Sequence, residues 1–400
     1  MFNNNSITEF LKIRNFLFSI GLTLLLTKPQ ISHVCNIIAA MTQKGYSGKI
    51  VDIVDLLLDS KHKSTIGKFL CSKAWDENLV LKKLQKFTIN TIWMISKINK
   101  LPIYVVIDDT IAEKTKPSSK ALSPTAKGKY HHSHLKGKRV YGHQIVVVLL
   151  KCGKVQLPLA ILLYDKEVQS KIKMALDIIK MLPKPHMKGF VLADTWYSSK
   201  EIIKASKKAG YDYIGGLRVN RVIYPKGYRT SWSIKGFAML LQKEDFHLVT
   251  VGKRSYYVYR YEGKLNGISG KTIVLLSWPE EAFGVEKALK SFVCTDINLS
   301  DEEILNHYVS RWPIEVFIRQ TKMLLGLNKY QVRKEIAFKR LWILIMLSYC
   351  YICTQSVSQK FNFSSGLKSA RREVLKEKML WIYNQGQTGI PFEQVMAKVS

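Results

Sequence analysis

The chain has 400 residues, 47% of them hydrophobic, which is enough for a sizeable core and two or three domains and excludes a disordered polymer. Lys and Arg outnumber Asp and Glu by 62 to 30, and the resulting formal charge of +32 far exceeds what solubility requires, so a polyanionic partner is expected. The basic residues run along the whole chain rather than gathering beside one amphipathic helix, which favours nucleic acid over a membrane surface.

Residues 1–100 carry helical periodicity with little strand signal and are expected to form an all-helical domain. The apolar stretch from Lys12 to Leu26 is followed by no small-residue cleavage site and reads as a core helix. Pro29 opens a segment reaching Met41, and Asp76 caps a helix from Glu77 onward. Ser64, Thr65, Ile66 and Gly67, with Lys63 and Lys68 beside them, suit the start of a recognition helix contacting phosphates or, equally, plain helical packing.

After Pro102 the character changes. The β-branched run from Ile103 to Ile107 ends abruptly in Asp108, Asp109 and Thr110. A polar, basic loop follows, then strands Val140 to Leu150 and Val155 to Leu163 joined by a turn at Gly153. Next come a helix from about Gln169 to Met181, a strand from Gly189 to Ala193 closed by Asp194, a helix from Ser198 to Ala209 and a strand from Tyr211 to Leu217. Three strands in an antiparallel meander, then helix, strand, helix and strand, is the element order of a ribonuclease H-like α/β core. Residues 220–292 interrupt it with short Tyr- and Lys-rich strands, an inserted β region. Helical character returns at the capping-box-like Ser300 to Glu303 and continues to about Lys360. The resulting division is 1–100 helical with the candidate recognition helix, 101–219 core, 220–292 insertion, 293–355 core again, and 356–400 a basic helical tail.

Six cysteines at 35, 71, 152, 294, 350 and 353 form no paired framework and no zinc-finger spacing, which implies a reducing, cytoplasmic setting. Cys350 and Cys353 lie inside the apolar run from Leu341, where buried core thiols are expected. That run falls short of the roughly 18–20 apolar residues of a spanning helix, so no membrane partner is expected.

Asp109 and Asp194, at the ends of adjacent strands, repel each other unless a cation neutralises them. A third acid must come from a helix packed on that sheet. Tyr308, Arg311, Glu315 and Lys322 stand at offsets of 3, 7 and 14, which on a continuous helix places them within a roughly 100° arc. Pro313 either kinks this helix or restarts it with Glu315 in the first turn; both leave Glu315 available. No carboxylate partner for Arg311 and Lys322 is evident on the stripe itself.

These four residues spell Y-x2-R-x3-E-x6-K, and over about residues 100–350 the chain resembles the DDE transposases of bacterial insertion sequences, in the group with a β-strand insertion before the last acid. Ile107 to Thr110 is similar to that family's first-acid motif, and Leu192 to Tyr197 to its second. The resemblance implies Asp109, Asp194 and Glu315 as catalytic metal ligands for Mg²⁺, with Mn²⁺ as a substitute. It further implies Tyr308, Arg311 and Lys322 as holders of DNA phosphates, double-stranded DNA as element end and target, and a homodimer on DNA. Either of Asp108 and Asp109 fits the first position; Asp109 is taken because the family's acid directly precedes a threonine. A hairpin-ended intermediate is implied by the resemblance alone. The rival readings are a ribonuclease H-like nuclease without strand transfer and an inactive DNA-binding remnant acting as a repressor.

Two further groups invite a role. His131, His132, His134 and His143 fall among Lys127, Lys129, Lys136, Lys138 and Arg139, as a phosphate-contacting loop or, less simply, a zinc site. Trp232 and Trp278 are core residues or stacking platforms for an extruded base.

Overall fold

The computed structural model of the chain describes residues 8–57, 61–72, 75–133, 136–356 and 361–399. Five helices come first: α1 (Thr8–Ser19), α2 (Lys28–Thr42), α3 (Ile50–Asp55), α4 (Lys63–Cys71) and α5 (Glu77–Asn99). Asp76 starts α5 by accepting the Asn78 and Leu79 amides at 2.8 and 3.2 Å, two of the donors a helix N-terminus leaves open. α4 is capped by the His62 imidazole rather than by a hydroxyl.

The sheet then begins with β1 (Ile103–Glu113), β2 (Lys129–Ser133), β3 (Lys138–Cys152) and β4 (Val155–Leu163). α6 (Lys171–Met181), β5 (Gly189–Ala193), α7 (Lys200–Lys208) and β6 (Asp212–Leu217) follow. β4, β3 and β1 pair antiparallel, while β1, β5 and β6 pair parallel, giving the spatial order β4-β3-β1-β5-β6. β1 runs on past Ile107 to Glu113, so both aspartates lie within the strand rather than at its end.

The region after β6 opens with a small hairpin, β7 (Val222–Ile223) and β8 (Trp232–Ser233), and a short helix, α8 (Ile234–Ala238). β9 (His247–Val251), β10 (Arg254–Lys264), β11 (Lys271–Pro279) and β12 (Lys290–Cys294) then form an antiparallel run whose last strand pairs with β6. The inserted strands therefore extend the central sheet instead of folding apart from it. Helices α9 (Asp301–Val309), α10 (Pro313–Leu324), α11 (Glu335–Thr354), α12 (Phe363–Gln387) and α13 (Phe392–Val399) complete the chain. The expected single helical stretch after Ser300 is thus three helices. Pro313 is the first residue of the second, where its missing N–H costs no intrahelical bond.

The sheet is apolar on both faces. Tyr104, Val106, Ile145, Val147 and Leu192 pack on one side with Ile314, Phe317 and much of α11; Ile103, Val105, Ile107, Val146 and Val191 pack on the other with Met174, Ile178 and Ile202. Burial on both faces is why these strands read as unbroken β-branched runs. α11 is long and apolar enough to cross a membrane by length and composition alone, yet nearly all of it is buried against α2, α4, α5, α12 and β4. Arg340, 1% exposed on α11, reaches Glu77 and the carbonyls of Phe69, Leu70, Ser72 and Trp75, which ties α4 and α5 to it. All six cysteines are free, and burial pushes the Cys350 thiol up to about 12, as suits an inert core group.

Candidate active site

Side chains alternate across a strand, so the two aspartates of β1 part company. Asp108 continues the face of Tyr104 and Val106, on which α10 and α11 lie; Asp109 continues the face of Val105 and Ile107, covered by α6 and α7. The last register pair of β1 and β5 is Ile107 with Ala193, so Asp108 and Asp194 are next in line on adjacent parallel strands.

Asp108 accepts from Arg311 Nη1 at 2.9 Å and from the Asp109 amide at 2.8 Å. Burial pushes its carboxyl up to about 6; Arg311 opposes this and Asp194 adds to it. Asp194 accepts the Trp196 amide at 3.0 Å, and burial, then the charge of Asp109, pushes its pKa up. Glu315, in the first turn of α10, accepts from Arg311 Nη2 at 2.6 Å. One guanidinium thus bridges Asp108 and Glu315.

Asp109 has other company. Lys171, the first residue of α6, donates to it at 2.7 Å, Gln144 on β3 at 2.7 Å and the Tyr197 hydroxyl at 3.4 Å. Asp109 nonetheless lies near enough to Asp194 to be the leading charge acting on it.

The residues expected to hold phosphates divide as well. Tyr308, next to last in α9, has its ring on Phe292, centroids 4.7 Å apart. Gly216 on β6 makes room here, because a Cβ would lie 2.7 Å from Thr195 Oγ1 and 3.4 Å from the Tyr308 hydroxyl. Arg311 lies in the turn between α9 and α10, and its carboxylate partners are Asp108 and Glu315; the second stands on the stripe itself, four residues on, against the expectation of no partner there. Lys322 donates to Thr110 Oγ1 at 2.6 Å and to the Ile111 carbonyl at 2.9 Å, and burial lowers its pKa. In this conformation it fastens α10 to β1 at two points.

In the basic loop, Lys127 and Lys129 each meet Asp165 at 3.0 Å, and Lys136 meets Glu113 at 2.6 Å, so three cations expected at phosphates are already matched by acids. Both ring nitrogens of His143 are engaged, one with Tyr330 Oη at 2.6 Å and one with the Ala126 carbonyl at 2.7 Å; His134 lies outside the described residues. Trp278 is 1% exposed and donates to the Val285 carbonyl, a core residue; Trp232 is half-buried beside Tyr228.

Sequence reasoning missed Lys171, Gln144 and Trp196. Nothing in the spacing links the first two to Asp109, since the contacts join separate elements. Trp196, 55% exposed and two residues beyond Asp194, has Lys171 and Arg218 over its ring at 5.3 and 5.7 Å. Its place after the second acid was a signal passed over for the tryptophans of the inserted region.

Among the described residues, no three His, Cys, Asp or Glu side chains converge closely enough to hold a metal ion as they stand; the acids are paired instead with Arg311 and Lys171. The donors themselves are carboxylate oxygens from strands and a helix, the chemistry that hard divalent cations take. Burial and like charge raise two of them, a strain that a cation relieves.

The family model described as "Transposase DDE domain" matches residues 100–351. No curated protein matches the chain. Among solved structures, the piggyBac transposase synaptic complex with hairpin DNA is similar at 11% sequence identity and a TM-score of 0.45, covering 98% of this chain and 82% of that one.

Proposed function

The chain belongs to the transposase DDE domain family, and from that premise we propose that it cuts the ends of its own insertion sequence and joins the freed 3′-hydroxyl to target DNA. The observation that carries this reading is the bridging of Asp108 and Glu315 by Arg311, with the charge of Asp194 acting on Asp108 from the adjacent strand, in a chain of charge +32. The spatial order β4-β3-β1-β5-β6, with its antiparallel meander and parallel pair, supports a ribonuclease H-like core. The signature Tyr308, Arg311, Glu315 and Lys322 supports the insertion-sequence group.

Asp194 and Glu315 are the second and third acids. For the first, the geometry speaks for Asp108, because it shares Glu315's side of the sheet and a guanidinium with it, whereas Asp109 is tied by three bonds on the other side. These carboxylates would hold a pair of divalent ions, Mg²⁺ or Mn²⁺ in its place. The chemistry such ions supply when bound is neutralisation of the phosphoryl charge and activation of the attacking hydroxyl. Arg311 and Tyr308, beside the acids, orient the end phosphate by charge-assisted and hydroxyl hydrogen bonds. Lys322 holds α10 so that Glu315 stays at the end of the sheet. Leu375, Met379, Leu380 and Tyr383, exposed along α12, support pairing with a second copy on DNA.

The test is incubation of the full chain with duplexes carrying the terminal repeats of its own element, a target plasmid and Mg²⁺. Cleavage at the termini with joined products is expected. Cutting without joining indicates the nuclease, and specific binding without cutting indicates the repressor.

A further inference from the structure

Arg311 sits where its role as a phosphate holder alone would not put it. Nη1 is 2.9 Å from Asp108 Oδ2 and Nη2 is 2.6 Å from Glu315 Oε1, and the side chain is 17% exposed. Its planar fork matches carboxylates closely, so one positive charge bridges the two acids and leaves the group one charge short of neutrality. Those same oxygens suit a hard divalent ion, and a guanidinium and a metal cannot share them.

The backbone of Arg311 is held independently of its side chain. It is fixed in the α9–α10 turn, with its amide donating to the Tyr308 carbonyl at 2.9 Å and its carbonyl accepting from Ile314 at 3.1 Å. The long side chain can therefore swing while both helices stay in place. Lys171 is held by more: its partner Asp109 has two further donors, and its ammonium lies over the rings of both Tyr164 and Trp196 at 5.3 Å, whereas the Arg311 guanidinium has the single ring of Tyr308 at 5.9 Å.

We propose that Arg311 is an exchangeable counter-ion: without DNA it occupies the oxygens of Asp108 and Glu315, and the phosphate of a DNA end draws it away, so that DNA-end binding opens the site to the divalent ion. This rests on the reading of Asp108, Asp194 and Glu315 as metal ligands. Coupling of this kind is reciprocal, so the metal tightens end binding by the factor by which the end tightens metal binding. A transposase built this way holds little catalytic metal until it is seated on an end, which suppresses stray cutting.

The experiment measures Mn²⁺ binding to the full chain by electron paramagnetic resonance, with and without a pre-cleaved terminal duplex. The wild type should bind Mn²⁺ about tenfold more tightly with the duplex, within the usual range for coupled sites. Arg311→Ala, and Arg311→Gln as a second uncharged variant, should bind Mn²⁺ about tenfold more tightly than wild type without DNA and respond little to the duplex. Arg311→Lys should fall between. Folded uncharged variants whose DNA-free Mn²⁺ affinity equals or falls below that of wild type overturn the exchange. Asp194→Asn and Glu315→Gln separate the two levels. If neither weakens Mn²⁺ binding, the metal-ligand reading itself fails and the exchange falls with it; if both do and the Arg311 variants do not tighten, only the exchange fails.

Discussion

Asp108 and Asp109 are neighbours in one strand, equally exposed at 17% of the side chain, yet they live in different surroundings. Asp108 meets its neighbour's amide and one long cation, shared with an acid from a helix; Asp109 meets an ammonium, an amide and a phenol from three separate parts of the chain. The first arrangement is easily rearranged and the second is a closed network. The cause is the alternation of a strand between two helical layers, and the lesson is that a residue's face decides its company more than its sequence neighbours do.

Substitution of the acids breaks or upholds this contrast most forcefully. Asp194→Asn, Glu315→Gln and Asp108→Asn should each reduce end cleavage to background while leaving end binding largely intact, read by gel assays on the same preparations. Asp109→Asn should leave measurable cleavage but lower stability by about 1–3 kcal/mol in urea unfolding, because Lys171 loses its charged acceptor. The opposite pattern, with Asp109→Asn inert and Asp108→Asn active, makes Asp109 the first acid.

A smaller effect is expected at Lys322, on Asp108's side of the sheet but bonded to β1 rather than to an acid. Lys322→Met should cost about 1–2 kcal/mol of stability through the loss of two hydrogen bonds, with cleavage falling as α10 loosens. Unchanged stability together with weaker, less salt-sensitive end binding would instead make Lys322 a phosphate contact.

The effect farthest from the acids concerns pH. His143, paired with Ala112 on β1, is fully buried, and burial lowers its pKa to about 4, below the usual 6.5. The folded state therefore binds that proton less readily than the unfolded chain. This part of the stability is present above pH 6.5 and is lost as pH falls through about 4. The melting temperature should decline across that window, and His143→Gln should flatten the decline. An unchanged slope in that variant assigns the pH response elsewhere.

Much of the scaffold was legible in the sequence. The β-branched runs marked five strands of the core in order but missed β2, which forms in what read as a polar loop; Asp76 and Ser300 marked true helix starts, and Pro313 restarts a helix as one of two alternatives had it. Which aspartate faces Glu315 was not legible, because β1 is apolar on both faces and shows no alternation to betray them. The continuation of the sheet through β12 was hidden too, since periodicity identifies a strand without naming its partner. The pairings of Arg311 with Asp108, Lys171 with Asp109 and Lys127 with Asp165 join remote elements, which only the folded chain brings together, whereas Glu315 lies within reach of Arg311 in the sequence.

The central position of α11 also sets a timetable for biosynthesis. α2, α4 and α5 rest on this helix and Arg340 clasps the chain from Phe69 to Glu77, so the first hundred residues find their proper surface only when residues 335–354 have been made. At roughly 5–20 residues per second, that interval is on the order of tens of seconds. Throughout it Ile37, Ile38 and Met41, which end at 0% exposure, have no α11 to cover them, so this apolar surface waits for a partner made only in the last sixth of the chain.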